Sequence, residues 1–234
     1  MRESRQSAPR TRPAVVTSVR RLAQPGTPIV TYAIIAVCVL VFVAEVFTGQ
    51  LVGSSPIVSA LLYYPPATAI EPWRMLTSLV VHGSILHILF NMYSLFVLGP
   101  ELERLVGRWR FGALFLLSGL GGSVAVLLSS PGSAVIGASG AIFGLFGAYF
   151  VIARHLGGNS RQLIIVIVIN LVIGFVVPGI AWQAHVGGLI IGALVGFILT
   201  RTRNRAQRGI QLLALGGTTV GLVVLTIVGA SIFA

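Results

Sequence analysis

Seven apolar stretches, at residues 28–48, 79–99, 111–128, 139–154, 161–178, 183–200 and 210–233, account for more than half of a 234-residue chain. A hydrocarbon core about 30 Å thick is crossed by about 20 apolar helical residues, so stretches of this size read as transmembrane helices. Only 9% of the residues are charged and 56% are hydrophobic, against the roughly 25% charged content of a soluble domain. The expectation is therefore an all-α membrane protein, a polytopic helix bundle. Its predicted organisation is a basic, disordered arm over 1–27, a six-helix core over 28–200, a basic linker over 201–209 and a seventh transmembrane helix over 210–234. The fourth stretch, sixteen residues long, is too short to cross in full and must start below one surface.

Two polar residues share a depth. Ser139, in Gly137-Ala138-Ser139-Gly140, stands fifteen residues before Arg154, and His185, in Ala184-His185-Val186-Gly187-Gly188, sixteen before Arg201. At about 1.5 Å per helical residue, both lie roughly 22 to 24 Å from the arginine-marked surface and so a little below the opposite one. Isolated polar groups in lipid are expensive, so a hydroxyl and an imidazole at one level on two helices form a candidate site. The pairing has a mechanical basis as well. Gly140, Gly144 and Ala148 make a small-residue stripe beside Ser139, while His185, Gly188, Gly192 and Gly196 share a face of the sixth stretch, and such stripes let helices approach closely. Close packing alone also explains both stripes, without any nucleophile.

The composition removes several chemistries. All sixteen basic residues are Arg, no Lys or Asp occurs, and the only acids are Glu3, Glu45, Glu71, Glu101 and Glu103. A Ser-Lys dyad, a pair of aspartates and a Ser-His-Asp triad are thereby excluded. Four scattered His and one Cys make a poor metal set, with no His-Glu-x-x-His, so no metal and no cofactor is expected. A hydrolase built from this chain is left with a Ser-His dyad. Cys38, mid-helix and alone, reads as a small buried hydrophobe.

Fifteen of the sixteen arginines fall on one side of the predicted topology, with Arg74 opposite. The positive-inside rule makes that side cytoplasmic, placing the N-terminus inside, the C-terminus outside and Ser139 and His185 near the outer face of the cell membrane. The net charge of +11 follows from topology and attraction to the lipid bilayer, and calls for no nucleic acid.

The remaining polar positions carry weaker signals. The loop 49–78 is rich in apolar and aromatic residues and reads as a half-buried interfacial element, with Trp73, Tyr63 and Tyr64 at headgroup level and Arg74 paired with Glu71. In the second stretch His87 and Asn91, four residues apart, share a face; His87 reaches the depth of Ser139 and Asn91 lies one turn deeper. Interhelical hydrogen bonding accounts for such a pair equally well. His82 reads as structural. The charges of Glu103, Arg108 and Arg110 are expected to pair within their turn, and Asn170 to bond across helices. Because the first N–H groups of a helix lack internal partners, a helix beginning at Ser139 offers donors to a developing oxyanion.

With these motifs in order, His87-x-x-x-Asn91, Gly137-x-Ser139-Gly140 and Ala184-His185-x-x-Gly188, the chain resembles the rhomboid family of intramembrane serine proteases over roughly residues 28–200. Trp73-Arg74 and the turn around Glu103 and Gly107 also look like family features. The resemblance implies a six-helix protease core followed by one more helix. It further implies Ser139 as nucleophile, His185 as general base, and His87, Asn91 and the Ser139 N–H as oxyanion hole. Substrates would be single-pass or multi-pass membrane proteins cleaved in a transmembrane segment. Phe143 stands where some members carry Tyr beside the histidine. Two other functions compete: a catalytically silent relative that binds transmembrane helices, which should lack a nucleophile or base, and a proton-coupled transporter using His87 and His185, which should carry acids deep in its spans.

Overall fold

The computed structural model describes residues 26–49, 55–158 and 160–233; the basic arm expected over 1–27 lies outside the described residues except for its last two. The long helices are α1 (Ile29–Phe47), α2 (Ile85–Val106), α3 (Arg108–Ser129), α4 (Ser139–His155), α5 (Arg161–Val176), α6 (Trp182–Arg201) and α7 (Arg208–Phe233). The polytopic all-α architecture holds. Five of these helices, α1, α2, α3, α6 and α7, are long and apolar enough to cross a membrane. α4, with 17 residues, and α5, with 16, reach only about 26 and 24 Å at the usual helical rise. The fifth stretch, expected to run to residue 178, therefore falls short of a full span.

The second helix differs most from its expected bounds of 79–99. Residues Ser78–Val80 form a 3-10 turn, and α2 starts only after Ser84, whose hydroxyl accepts from the His87 N–H at 3.2 Å. This is an N-cap, strong enough to set the boundary. At the other end α2 runs through Gly99 and Pro100 to Val106. The reason is tertiary. Glu103 is buried and its carboxylate accepts from Val30 N at 3.0 Å, Thr31 N at 2.7 Å and the Thr31 hydroxyl at 2.7 Å. These donors belong to the first turn of α1, which has no internal acceptor for them, and they hold the last turns of α2 helical. The expected pairing of charges inside the 103–110 turn is thus overturned. Glu103 caps α1, and Arg110 donates through Nε to the Gln211 side-chain oxygen of α7 at 2.7 Å.

Burial sorts the helices. Two thirds of the apolar window of α3 is buried, 67%, against 17% in each of α1 and α7, so α3 is central and α1 and α7 are outer staves. α3, α4 and α6 each pack against the other two. The two stripes noted in the sequence face each other: a Cβ on Gly188 would run into the Gly140 carbonyl, one on Gly192 into the Gly144 backbone, and one on Gly196 into Ala148. Side chains are absent from the seam, so the backbones touch, the association mode that lipid favours.

In the loop between α1 and α2, residues 55–84 are among those described. It contains a six-residue helix (Pro56–Leu61), 3-10 turns at Pro65–Ala67 and Ser78–Val80, and one helical turn (Arg74–Thr77). Trp73 is 55% exposed, but Tyr63 is fully buried, against the headgroup position expected for it; its hydroxyl bonds to Thr68 Oγ1 at 2.8 Å. Arg74 pairs with Glu71 at 2.8 Å. Cys38 is fully buried against the second part of this loop, 4.0 Å from the Leu79 carbonyl.

Candidate active site

The segment ahead of Ser139 is fixed from two sides. Tyr63 and Val135 exchange backbone hydrogen bonds, at 3.0 Å from Tyr63 N–H and 2.8 Å from Val135 N–H, and the Gly137 N–H donates to the Ser78 carbonyl at 2.8 Å. Gly137 has φ +106°, a backbone region that disfavours any residue with a side chain. A Cβ there would also stand 2.6 Å from His87 Cε1 and Nε2. Conformation and the neighbouring imidazole both demand glycine two residues before the serine. α4 then opens at Ser139, preceded by a fully buried Ala138 that contributes no side-chain cap. The N–H groups of Ser139, Gly140 and Ala141 lack acceptors within the helix and remain donors.

His185 enters from α6, one turn after its start at Trp182. It is 7% exposed, and its Nε2 lies 2.9 Å from Ser139 Oγ, a normal hydrogen-bond distance. The imidazole is held by its faces and edges. Phe143, one helical turn beyond Ser139 on α4, stacks on the ring with centroids 4.2 Å apart and planes 9° from parallel. On the far edge, Gly174 of α5 presents its backbone: a Cβ there would lie 3.0 Å from His185 Nδ1. Nδ1 itself is buried with no hydrogen-bond partner among the described residues. Orientation therefore comes from stacking and steric enclosure, the role that a carboxylate fills in a triad.

The third element is α2. The His87 ring lies over Gly137, and its Nδ1 accepts from the Gly83 N–H at 3.3 Å, which leaves the ring proton on Nε2, the nitrogen turned toward the serine loop. Asn91 is buried. One of its amide protons goes to the His87 carbonyl at 2.8 Å, while its Oδ1 has no partner among the described residues. His87 stands over Gly137, two residues before Ser139, and Asn91 lies one turn further along α2; neither side chain hydrogen-bonds to Ser139 in this structure. Behind them, the fully buried Glu45 of α1 accepts the His82 N–H at 3.4 Å, and the His82 ring meets His87 edge-on at 5.1 Å. That support was invisible in the sequence, where Glu45 and His82 are 37 positions apart. Asn170, expected to bond across helices, instead donates to Val166 within α5 at 2.8 Å; its solvent- or lipid-facing position leaves only its own helix to bond.

Residues 69–202 match the family model described as Rhomboid domain. The chain belongs to the rhomboid family. The match spans α2 to α6 and includes Ser139, His185, His87 and Asn91, and leaves α1 and α7 outside. RHOMBOID-like protein 5 of Arabidopsis thaliana is 42% identical over 138 residues, covering 55% of this chain and 44% of that protein. Rhomboid protease GluP of Bacillus subtilis is 36% identical over 181 residues, covering 72% of this chain and 34% of that protein. Putative rhomboid protease YdcA of the same bacterium is 35% identical over 141 residues, covering 58% of this chain and 71% of that protein. The aligned region is thus less than half the length of the first two rhomboid relatives and more than two thirds of the third.

Proposed function

We propose that this chain is an intramembrane serine endopeptidase that cleaves transmembrane segments of other membrane proteins near the outer face. The contact of 2.9 Å between Ser139 Oγ and the buried His185 Nε2 is the observation that carries the reading. Ser139 attacks the scissile carbonyl as His185 accepts its proton, and the imidazolium returns that proton to the leaving amine. Water then hydrolyses the acyl-enzyme, with His185 again acting as base. The oxyanion is met by the Ser139 N–H, by His87 Nε2–H and by the second amide proton of Asn91, the one not donated to the His87 carbonyl. Donors already fixed in a low-dielectric site are worth more than the same donors in water.

A peptide bond inside a helix is shielded by the helix's own hydrogen bonds, so substrates should carry Gly, Ala or Pro near the outer boundary, where unwinding costs least. The arginine distribution supports a multi-pass protein of the cell membrane with its N-terminus cytoplasmic and its C-terminus outside. The bare presence of both nucleophile and base favours the protease over a silent helix-binding relative, and the lack of acids deep among the spans disfavours a transporter.

A serine-directed fluorophosphonate applied to the detergent-purified chain tests the proposal. Labelling of the native protein, its loss in Ser139→Ala and His185→Ala, and cleavage of a model transmembrane substrate reduced on the order of 10⁴-fold or more in Ser139→Ala are expected. Cleavage retained in Ser139→Ala, with the variant folded, refutes the assignment.

A further inference from the structure

At the end of the bundle remote from Ser139, a small open cleft of about 60 Å³ lies between the α2–α3 turn and the last turns of α4 and α6. Its polar wall is Arg110, His155, Thr200 and Arg203, and its apolar wall includes Leu105, Ile152 and Leu199. Cationic groups at the rim and aliphatic side chains within describe an amphiphilic site at a helix end.

The surrounding charge is unbalanced. Nine arginines lie between positions 104 and 208, a stretch of 105 residues without an acid, and Glu101 and Glu103 stand just before it. Both carboxylates are engaged with neutral donors: Glu103 caps α1, and Glu101 accepts from the Tyr149 hydroxyl at 3.0 Å. Arg110 likewise has a neutral partner, Gln211, and its guanidinium lies 4.9 Å above the Trp109 ring. Helix dipoles do not absorb the excess. The N-termini of α1, α3, α5 and α7 and the C-termini of α2, α4 and α6 meet at this end, and at roughly half a charge each they nearly cancel with a small positive remainder.

We infer that this cleft binds a single anionic phospholipid, its phosphate among Arg110, His155 and Arg203 and the start of an acyl chain against Leu105, Ile152 and Leu199. The charge complementarity and the position at the ends of membrane-crossing helices identify the occupant. The lipid bridges the ends of α4 and α6, the two helices whose other ends carry Ser139 and His185, and braces their spacing.

The 234-residue chain, delipidated in detergent and titrated with phosphatidylglycerol or phosphatidylcholine, is read by native mass spectrometry as the one-lipid adduct. The phosphatidylglycerol adduct should persist at about tenfold lower lipid concentration than the phosphatidylcholine adduct. Thr200→Trp, which fills the cleft without changing charge, and Arg203→Gln should each weaken the phosphatidylglycerol adduct about tenfold. Arg205→Gln, which removes a charge outside the cleft, should leave it unchanged. Lipid-free unfolding midpoints of all three variants at the native value show that the fold is intact, and a variant that fails this check is replaced by His155→Gln, for which the same loss is expected. Equal retention of the two lipids, an equal effect of Arg205→Gln and Arg203→Gln, or no effect of Thr200→Trp overturns the inference. So does inorganic phosphate alone binding with the same dependence on Arg203.

Discussion

α4 and α5 are nearly the same length and run side by side in sequence, yet they meet opposite fates. Ten of the 17 residues of α4 are buried, six of them Gly or Ala; in the 16 residues of α5 only Ile167 and Gly174 are buried. The helix richer in Val and Ile is the less buried of the two. In water that order would be reversed, because burial of branched aliphatic side chains drives folding. In a bilayer the lipid tails satisfy those side chains as well as protein does, and association is decided by how closely two backbones can approach. α4 and α6 meet through glycines and bring Ser139 and His185 together; α5 touches the site at one point, Gly174, and otherwise faces outward.

The contrast can be broken or sharpened by substitution. Gly192→Leu, aimed at the Gly144 backbone, should lower stability by about 3 kcal/mol and abolish cleavage; an unfolding midpoint equal to wild type would break the account of the seam. Next in size is Asn91→Ala on α2, where loss of an oxyanion donor should reduce kcat about 10² to 10³-fold with little change in the unfolding midpoint. A kcat within about threefold of wild type would remove Asn91 from the oxyanion hole. Phe143→Ala, which strips the stacking partner from His185, should lower kcat about three- to tenfold, and Phe143→Tyr should restore it; equal rates for all three proteins would show that stacking does not orient the imidazole. Least of all, Ile169→Ala on the exposed face of α5 should shift stability by no more than about 0.5 kcal/mol. A larger loss would mean that α5 packs where its exposure says it does not.

Reading the sequence went furthest where geometry is rigid. The rise per residue is fixed, so counting from Arg154 and Arg201 assigns Ser139 and His185 to one level, and the 3.6-residue repeat alone puts His87 and Asn91 on one face. It failed where a distant residue intervenes. The second apolar stretch stops at residue 99, but Glu103 reaches the first turn of α1 and α2 continues to Val106. Tyr63 has the composition of an interfacial anchor, and its bridge to Val135 buries it instead. The spacing of Phe143 from Ser139 is plain in the sequence, but its stacking on His185 depends on the register between α4 and α6.

Hydrophobic length and helical rise are local properties, so a polytopic helical protein and the polar residues set within its apolar stretches are legible in the sequence alone. Which of those residues touch depends on how the helices pack. Side chains 46 positions apart come within 2.9 Å only because two glycine stripes bring their backbones into contact at one register, and register between helices is a property of the packed pair that neither segment encodes alone.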